Sequence, residues 1–163
     1  MSESAAAPAT SGRPARESGV RRVAAIDIGS NSIRQIVADV SPAGTIRVLD
    51  EMKEAPRLGA GLGAGEIALL ADDAMSRSID AVTRMATLAR QLGADRVEAV
   101  ATSAVREAAN GEACLARLRE MADVSVRALT GTEEARLSFR SALAHFDLGG
   151  GRAVTIDIGG GSL

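Results

Sequence analysis

Apolar residues alternate or recur at helical spacing along most of the chain, and this pattern predicts a series of short strands and helices. Two apolar runs flank a Gly-Ser-Asn-Ser turn at 29–32, and a third run follows the turn signal at 41–44, which predicts three consecutive strands. Between 68 and 92 apolar residues recur every three or four positions, a spacing typical of an amphipathic helix. Further along, the pattern predicts a strand at 97–101, a helix start at 102–110, a helix at 112–122, a strand at 125–129, a helix from 130 and a strand at 153–158.

This order of elements predicts an α/β fold in which a three-strand antiparallel meander pairs onto parallel strands in a mixed sheet with flanking helices. Residues 1–20 are rich in Ala, Ser, Pro and Gly, a composition typical of a disordered tail. We therefore expect a disordered tail at 1–20, one lobe at 21–152 and the start of a second lobe at 153–163.

Composition and charge restrict the class of protein. A chain of 163 residues with 46% hydrophobic content is expected to hold one globular domain. The net charge of −2, with Lys53 as the only lysine, offers no basic field for a nucleic-acid partner. No apolar run predicts a membrane span, and the lone Cys114 excludes an internal disulfide. We expect a cytoplasmic protein with no membrane or nucleic-acid partner.

The turn at 29–32 has the chemistry of an anion-binding loop. Gly29 allows close approach of the backbone, and the N–H and hydroxyl groups of Ser30, Asn31 and Ser32 can donate to phosphate oxygens. Asp27, just before the turn, is placed to reach a hydrated cation. An ordinary hairpin, in which Asp and Asn bond to their own turn, is the alternative.

The other end of the chain repeats this motif, since Ile156-Asp157-Ile158-Gly159-Gly160-Gly161-Ser162 matches residues 26–32 at five of seven positions. A repeated strand–Asp–Gly turn suggests two related lobes, each contributing one loop to a shared cleft. A phosphate chain could then be held from both sides.

The glycine-rich stretch at 57–65 contains Gly59-x-Gly61-x-x-Ala64, a spacing found in dinucleotide-binding turns. Pro56 and Arg57 separate these glycines from the preceding strand, which disfavours that interpretation. We expect a mobile lid or edge loop instead, from which Arg57 could reach a polyanion.

The helix that opens at 130 carries two adjacent acids with different predicted roles. Thr130-x-x-Glu133 fits a capping box, which would occupy Glu133 at the helix start and leave Glu134 free to face a cleft. The alternative is that both acids simply favour the positive end of the helix.

Five blocks together resemble the exopolyphosphatase/guanosine pentaphosphate phosphohydrolase (Ppx/GppA phosphatase) family, within the actin-like, sugar-kinase and Hsp70 ATPase superfamily. The resemblance covers the chain from about residue 22 onward. The blocks lie at 27–32, 57–62, 101–110, 131–137 and 157–162. The resemblance implies an actin-like, ribonuclease H-like lobe. It also implies hydrolysis of the terminal phosphoanhydride of inorganic polyphosphate or of guanosine pentaphosphate. The second substrate would link the protein to the stringent response.

The resemblance also implies roles for individual residues. Glu134 would activate the attacking water, and Arg106 would bind phosphate, although an ordinary surface ion pair with Glu107 is the alternative for Arg106. Asp157 and Asp27 would hold Mg²⁺. The remaining positions would bind the phosphates: Gly29, Ser30, Asn31, Ser32, Ser103, Gly159, Gly160, Gly161 and Ser162.

Two other functions remain open from the residues alone: an ATP-dependent kinase of the same superfamily, and a non-catalytic module that binds a phosphorylated nucleotide. The chain departs from the family by stopping at Leu163, before the rest of the second lobe, and we expect either a fragment of a longer enzyme or a truncated product without turnover. The strand at 153–158 would then be loosely held or depend on another chain, since a strand needs a neighbour. A homodimer is left open for the complete protein.

Overall fold

A five-stranded mixed sheet forms the centre of the computed structural model, which describes residues 18–62, 67–147 and 152–159. The strands are β1 (Arg21–Ile28), β2 (Ile33–Val40), β3 (Ile46–Glu54), β4 (Arg96–Ala101) and β5 (Ser125–Ala128), in the order β3-β2-β1-β4-β5. The first three pair antiparallel, whereas β4 is parallel to β1 and β5 is parallel to β4. The predicted meander joined to parallel strands is confirmed.

Within these ranges four helices accompany the sheet: α1 (Asp72–Gln91), α2 (Ser103–Glu107), α3 (Gly111–Ala122) and α4 (Gly131–His145). Helix α1 begins four residues later than the predicted 68, and α2 ends at Glu107 rather than extending to 110. The chain from 108 to 110 instead turns into α3, and Asn110 closes it onto Leu70 through two hydrogen bonds of 2.9 Å.

The core lies between the sheet and helices α1 and α3. Alternate residues of β1 such as Ile26 and Ile28 are 1% exposed and meet Ile79 on α1 and Leu118 on α3, as expected for a strand with one face on a helical layer. Cys114 is fully buried in this core, and burial raises the pKa of its thiol. The thiol is therefore kept in its unreactive protonated form.

A buried carboxylate on β2 forms ion pairs with arginines on β1 and β3. Asp39 is 4% exposed and accepts hydrogen bonds from Arg22 Nε at 2.7 Å and from Arg47 Nη2 at 2.8 Å. These bonds, with that from Arg22 the largest influence, lower the pKa of Asp39 from 3.8 to about 2. A buried carboxylate held in this way remains charged throughout the physiological pH range.

Strand pairing sets the position of the turn at 29–32. Register places Asp27 opposite Arg34 on β2 and Ile28 beside Ala101 on β4. The Thr102 N–H then donates to the Ile28 carbonyl at 3.2 Å. The end of β4, the start of α2 and the turn therefore meet at one edge of the sheet.

The end of the chain is sparsely packed, and one prediction there is wrong. Helix α4 has no buried residue, and Leu143 within it and Phe146 just after it are 52% and 67% exposed. The predicted strand at 153–158 is absent: residues 152–159 form no regular element, and within the described ranges no strand pairs with them. Val154 is 87% exposed, since an isolated strand has no neighbour to satisfy its backbone hydrogen bonds.

Some predictions fall on residues outside the described ranges: most of the tail at 1–20, the end of the glycine-rich stretch at 63–65, and Gly160, Gly161 and Ser162. No helix within the described ranges combines the length and the apolar content that crossing a bilayer requires. The division into a lobe at 21–152 and a second lobe from 153 stays a prediction.

Candidate active site

A cleft of about 490 Å³ opens between the turn at 29–32, the start of α2, the first turns of α4 and the segment 155–159. Most of its lining residues were predicted from the sequence. These are Asp27, Gly29, Ser30, Asn31, Ser32, Ser103, Arg106, Glu134, Asp157 and Gly159. The structure brings them together on one cleft, and the roles assigned to them stay predictions.

The turn at 29–32 forms one wall of the cleft. The Gly29 N–H donates to the Ser32 carbonyl at 3.1 Å, and a Cβ at position 29 would lie 3.0 Å from that same oxygen. A side chain at 29 would therefore press on the turn. The Ser30 hydroxyl lies 3.0 Å from the hydroxyl of Ser103 on α2, so the two hydroxyl-bearing elements share a hydrogen bond.

An ion pair joins Arg106 on α2 to Glu134 on α4, and both side chains line the cleft. Arg106 Nη1 donates to Glu134 Oε2 at 2.9 Å and to the Leu129 carbonyl at 2.9 Å. The two side chains are 29% and 30% exposed, so both reach the cleft while remaining partly shielded from solvent. The ion pair with Glu107 that was the alternative is also present, with Glu107 Oε1 at 3.5 Å from Arg106 Nη2.

The capping box that separates Glu133 from Glu134 is confirmed. The Glu133 N–H donates to Thr130 Oγ1 at 3.2 Å, and the Thr130 N–H donates to Glu133 Oε2 at 2.9 Å. The bond that the Glu133 carboxylate accepts from the Thr130 N–H, its ion pair with Arg127 and a further bond of 3.0 Å from the Thr130 hydroxyl lower the pKa of Glu133 to about 2. Glu133 is thus committed to the helix start, and its neighbour Glu134 faces the cleft.

Three carboxylates concentrate negative charge in the cleft. Loss of solvent raises the pKa of Asp27, the charges of Glu134 and Asp157 raise it further, and Arg34 lowers it. Asp157 itself accepts a hydrogen bond of 2.9 Å at its Oδ2 from the hydroxyl of Ser138 on α4. A cation between Asp27 and Asp157 would offset this repulsion.

Within the described ranges, no group of three or more His, Cys, Asp or Glu side chains is arranged to hold a metal ion by itself. Mg²⁺ requires less, because it usually keeps several waters and takes one or two carboxylates together with substrate phosphates. Asp27 and Asp157 supply hard oxygen donors of that kind, so the residues present fit the ion.

Six residues that line the cleft were not among the predicted site residues: Arg34, Thr102, Gly131, Ala135, Ser138 and Thr155. Arg34 could have been found from hairpin register, which sets it directly opposite Asp27. Ser138 lies four residues after Glu134 and so on the same helical face. Thr155 occupies an irregular segment, for which periodicity offers no signal.

The model of the Ppx/GppA phosphatase family matches residues 36–163 of this chain. Exopolyphosphatase 2 of Mycobacterium tuberculosis is 38% identical over 148 residues, covering 86% of this chain and 46% of that relative. Guanosine-5'-triphosphate,3'-diphosphate pyrophosphatase of Photobacterium profundum is 35% identical over 140 residues, covering 85% of this chain and 27% of that relative. The chain thus spans less than half the length of these relatives.

Solved structures show the same likeness. The Ppx/GppA family member of Aquifex aeolicus superposes with a TM-score of 0.69 at 30% identity, covering 76% of this chain and 39% of the other. An exopolyphosphatase from Cytophaga hutchinsonii superposes with a TM-score of 0.70 at 26% identity, covering 76% of this chain and 39% of the other. The fold is therefore an actin-like α/β lobe with a mixed sheet.

Proposed function

Because this chain belongs to the Ppx/GppA phosphatase family, we propose that the protein hydrolyses the terminal phosphoanhydride of inorganic polyphosphate or of guanosine pentaphosphate. The observation that carries the proposal is the position of Glu134. Glu134 lines the same cleft as the hydroxyl-bearing turn at 29–32. Glu133 caps the start of the helix, so the carboxylate of Glu134 is not used for capping.

The cleft contains the groups that this reaction needs. Phosphoryl transfer to water depends on positioning and on charge stabilisation around the transferred group. The hydroxyls of Ser30 and Ser32 and the N–H groups of the turn can donate to non-bridging oxygens. Arg106 supplies a planar cation whose fork matches phosphate oxygens. Arg34 adds a second positive charge beside Asp27.

Glu134 is the base in this proposal. Its carboxylate accepts a hydrogen bond from the attacking water and takes a proton as the water oxygen bonds to the terminal phosphorus. The bridging oxygen leaves with the shortened phosphate chain, and inorganic phosphate is released. A positioned base of this kind contributes about 10²–10⁴ in rate.

Substrate would rearrange the ion pair between Arg106 and Glu134. In the structure Arg106 bonds to Glu134 and to the Leu129 carbonyl, so an incoming phosphate competes with Glu134 for the guanidinium. Transfer of Arg106 to the phosphate would release the carboxylate to the attacking water. Phosphate binding and activation of the base are thereby linked.

We assign Mg²⁺ to Asp27 and Asp157, directly or through water. When bound, the ion neutralises negative charge on the phosphate oxygens. The raised pKa of Asp27 supports this assignment, because a carboxylate destabilised by loss of solvent, and further by neighbouring acids, gains from a cation. A cytoplasmic location belongs to the same proposal, in keeping with the unpaired, buried Cys114.

Release of inorganic phosphate from defined-length polyphosphate and from guanosine pentaphosphate tests the proposal, measured with Mg²⁺ and again after chelation. We expect release from at least one substrate, lost on chelation and restored by Mg²⁺. Tight binding without release would instead favour a non-catalytic module. Formation of ADP from ATP in the presence of a sugar or acetate would favour a kinase.

A further inference from the structure

The first part of the glycine-rich stretch, residues 57–62, packs directly behind the turn at 29–32. The Arg57 N–H donates to the Asn31 carbonyl at 3.1 Å, and the Gly59 N–H donates to the Ser30 carbonyl at 2.7 Å. Two consecutive carbonyls of the turn are thus held from outside the cleft. Residues 57–59, which we call the brace, therefore contact the turn through backbone atoms.

The brace is itself firmly held. Leu58 is fully buried in the main core, and Arg77 on α1 donates to the Pro56 carbonyl at 3.2 and 3.4 Å. Arg57 has a φ of 56°, a left-handed conformation that non-glycine residues adopt only where the surroundings favour it. Glycine content alone suggests a mobile lid, but these contacts make the brace part of the lobe.

Gly59 lies closest to the turn. A Cβ at position 59 would lie 3.0 Å from the Ser30 Cβ and 3.4 Å from the Ala104 Cβ. Ser30 in turn shares its hydrogen bond of 3.0 Å with Ser103. A methyl group at 59 would therefore push on Ser30 and alter its hydrogen bond with α2.

We infer that Gly59 is a positioning residue for the anion-binding turn: its missing side chain lets the brace hold Ser30 against Ser103, so that the turn presents its donors to the cleft. The inference rests on the proposed function only for the identity of the anion. A phosphate chain, the ligand in question, accepts hydrogen bonds whose strength falls steeply when donors are misaligned.

Gly59→Ala and Gly61→Ala form a matched pair that separates this role from general loop stability. Gly61 has a φ of +79° and open space within 4 Å of where a Cβ would stand, whereas Gly59 has no positive φ but little space. Alanine at 61 thus strains the backbone without touching the turn. Alanine at 59 leaves the backbone conformation allowed and displaces Ser30.

The first measurement is the affinity of the purified chain for tripolyphosphate by calorimetry. We expect Gly59→Ala to weaken binding by about tenfold or more, while Gly61→Ala binds like the wild type despite a lower melting temperature. Equal affinities for Gly59→Ala and the wild type would overturn the inference. Absence of binding by the wild type would count against the proposed function, and the second measurement then decides the inference.

The second measurement is hydrogen exchange at the Gly29 amide, which donates to the Ser32 carbonyl at 3.1 Å within the turn. Gly59→Ala should raise its exchange rate by about tenfold, with no change at the Leu129 amide, which bonds to the Ala101 carbonyl at 2.8 Å. In a Ser30→Gly background, which lacks the Cβ that alanine would meet, Gly59→Ala should add no further increase. Unchanged Gly29 exchange in the single variant would contradict the inference, whether or not tripolyphosphate binds.

Discussion

Two regions of the molecule differ in how they are held: the sheet with helices α1, α2 and α3, and the strip formed by α4 and residues 152–159. In the first region Ile26, Ile79 and Leu118 are each 1% exposed or less. In the second, α4 has no buried residue and every residue from 152 to 159 is exposed. Polar contacts such as the pair between Arg106 and Glu134 connect the two regions.

The cleft is divided between these regions. Asp27, Ser30 and Ser103 lie on the packed side, and Glu134, Ser138 and Asp157 lie on the sparsely packed side. Regions with few buried apolar contacts open at lower free energy than the core. The difference implies that the phosphate-binding wall is preorganised, whereas the wall that carries the proposed base is free to adjust when substrate competes for Arg106.

Truncation of one leucine in each region should give the largest contrast. Leu118→Ala removes a fully buried side chain and should lower the free energy of unfolding by about 2–5 kcal/mol. Leu143→Ala, at a position that is 52% exposed, should change it by about 0.5 kcal/mol or less. Urea denaturation followed by circular dichroism measures both, and similar losses would show that α4 is packed as firmly as the core.

The second-largest contrast between the regions is expected in how the free energy of unfolding depends on acid pH. The pKa of Asp39 is lowered to about 2, so its stabilising contribution is complete above the unfolded-state pKa and is lost as pH falls from about 4 to about 2. We expect the loss to be on the order of 2 kcal/mol. Asp39→Asn should be less stable at neutral pH and should show a flatter profile over this range.

Glu133 is the control in the other region, since its pKa is also lowered to about 2. Its side chain is 39% exposed, so solvent and salt screen its interactions. Glu133→Gln should therefore flatten the acid profile less than Asp39→Asn does. A larger change for Glu133→Gln would reverse the assignment of the two regions.

The smallest expected effect is at Asp27, where the two regions face each other. Its pKa is raised above 3.8, so the folded state binds the proton more tightly and the contribution of Asp27 to stability decreases as pH rises past that value. Asp27→Asn should stabilise the metal-free chain by a few tenths of a kcal/mol at neutral pH.

The effect of added Mg²⁺ on thermal stability tests whether Asp27 binds the ion. If Asp27 and Asp157 hold the ion, Mg²⁺ should raise the melting temperature of the wild type and leave that of Asp27→Asn unchanged. Thermal denaturation with and without chelator measures both. An equal rise in the two proteins would place the ion elsewhere.

The sequence predicts the packed region better than the strip. Alternation in β1 and β2 and the periodicity of α1 identify elements whose partners lie in the chain, and the capping box at Thr130 is entirely local. The strand expected at 153–158 requires a neighbouring strand, and none of the described residues supplies one. Local patterns do not contain that information.

Within the cleft, prediction succeeded where chemistry and local turn signals coincide, as at 29–32 and Glu134. Arg34 was missed because its position on the cleft follows from strand register rather than from a motif. The brace at 57–59 was expected to be mobile from its glycines, whereas its hydrogen bonds to Ser30 and Asn31 arise only when β3 returns beside the hairpin. Contacts between segments that are distant in the sequence are not indicated by local sequence patterns.

The most direct test of the central claim compares Glu134→Gln with Glu133→Gln in the rate of phosphate release from saturating substrate. Both variants make the same chemical change at adjacent positions of one helix turn. The account predicts that Glu134→Gln lowers the rate by about 10²–10⁴-fold. Glu133→Gln should mainly lower the stability of the folded protein. Unchanged turnover in Glu134→Gln, or an equal loss of rate in both variants, would contradict it.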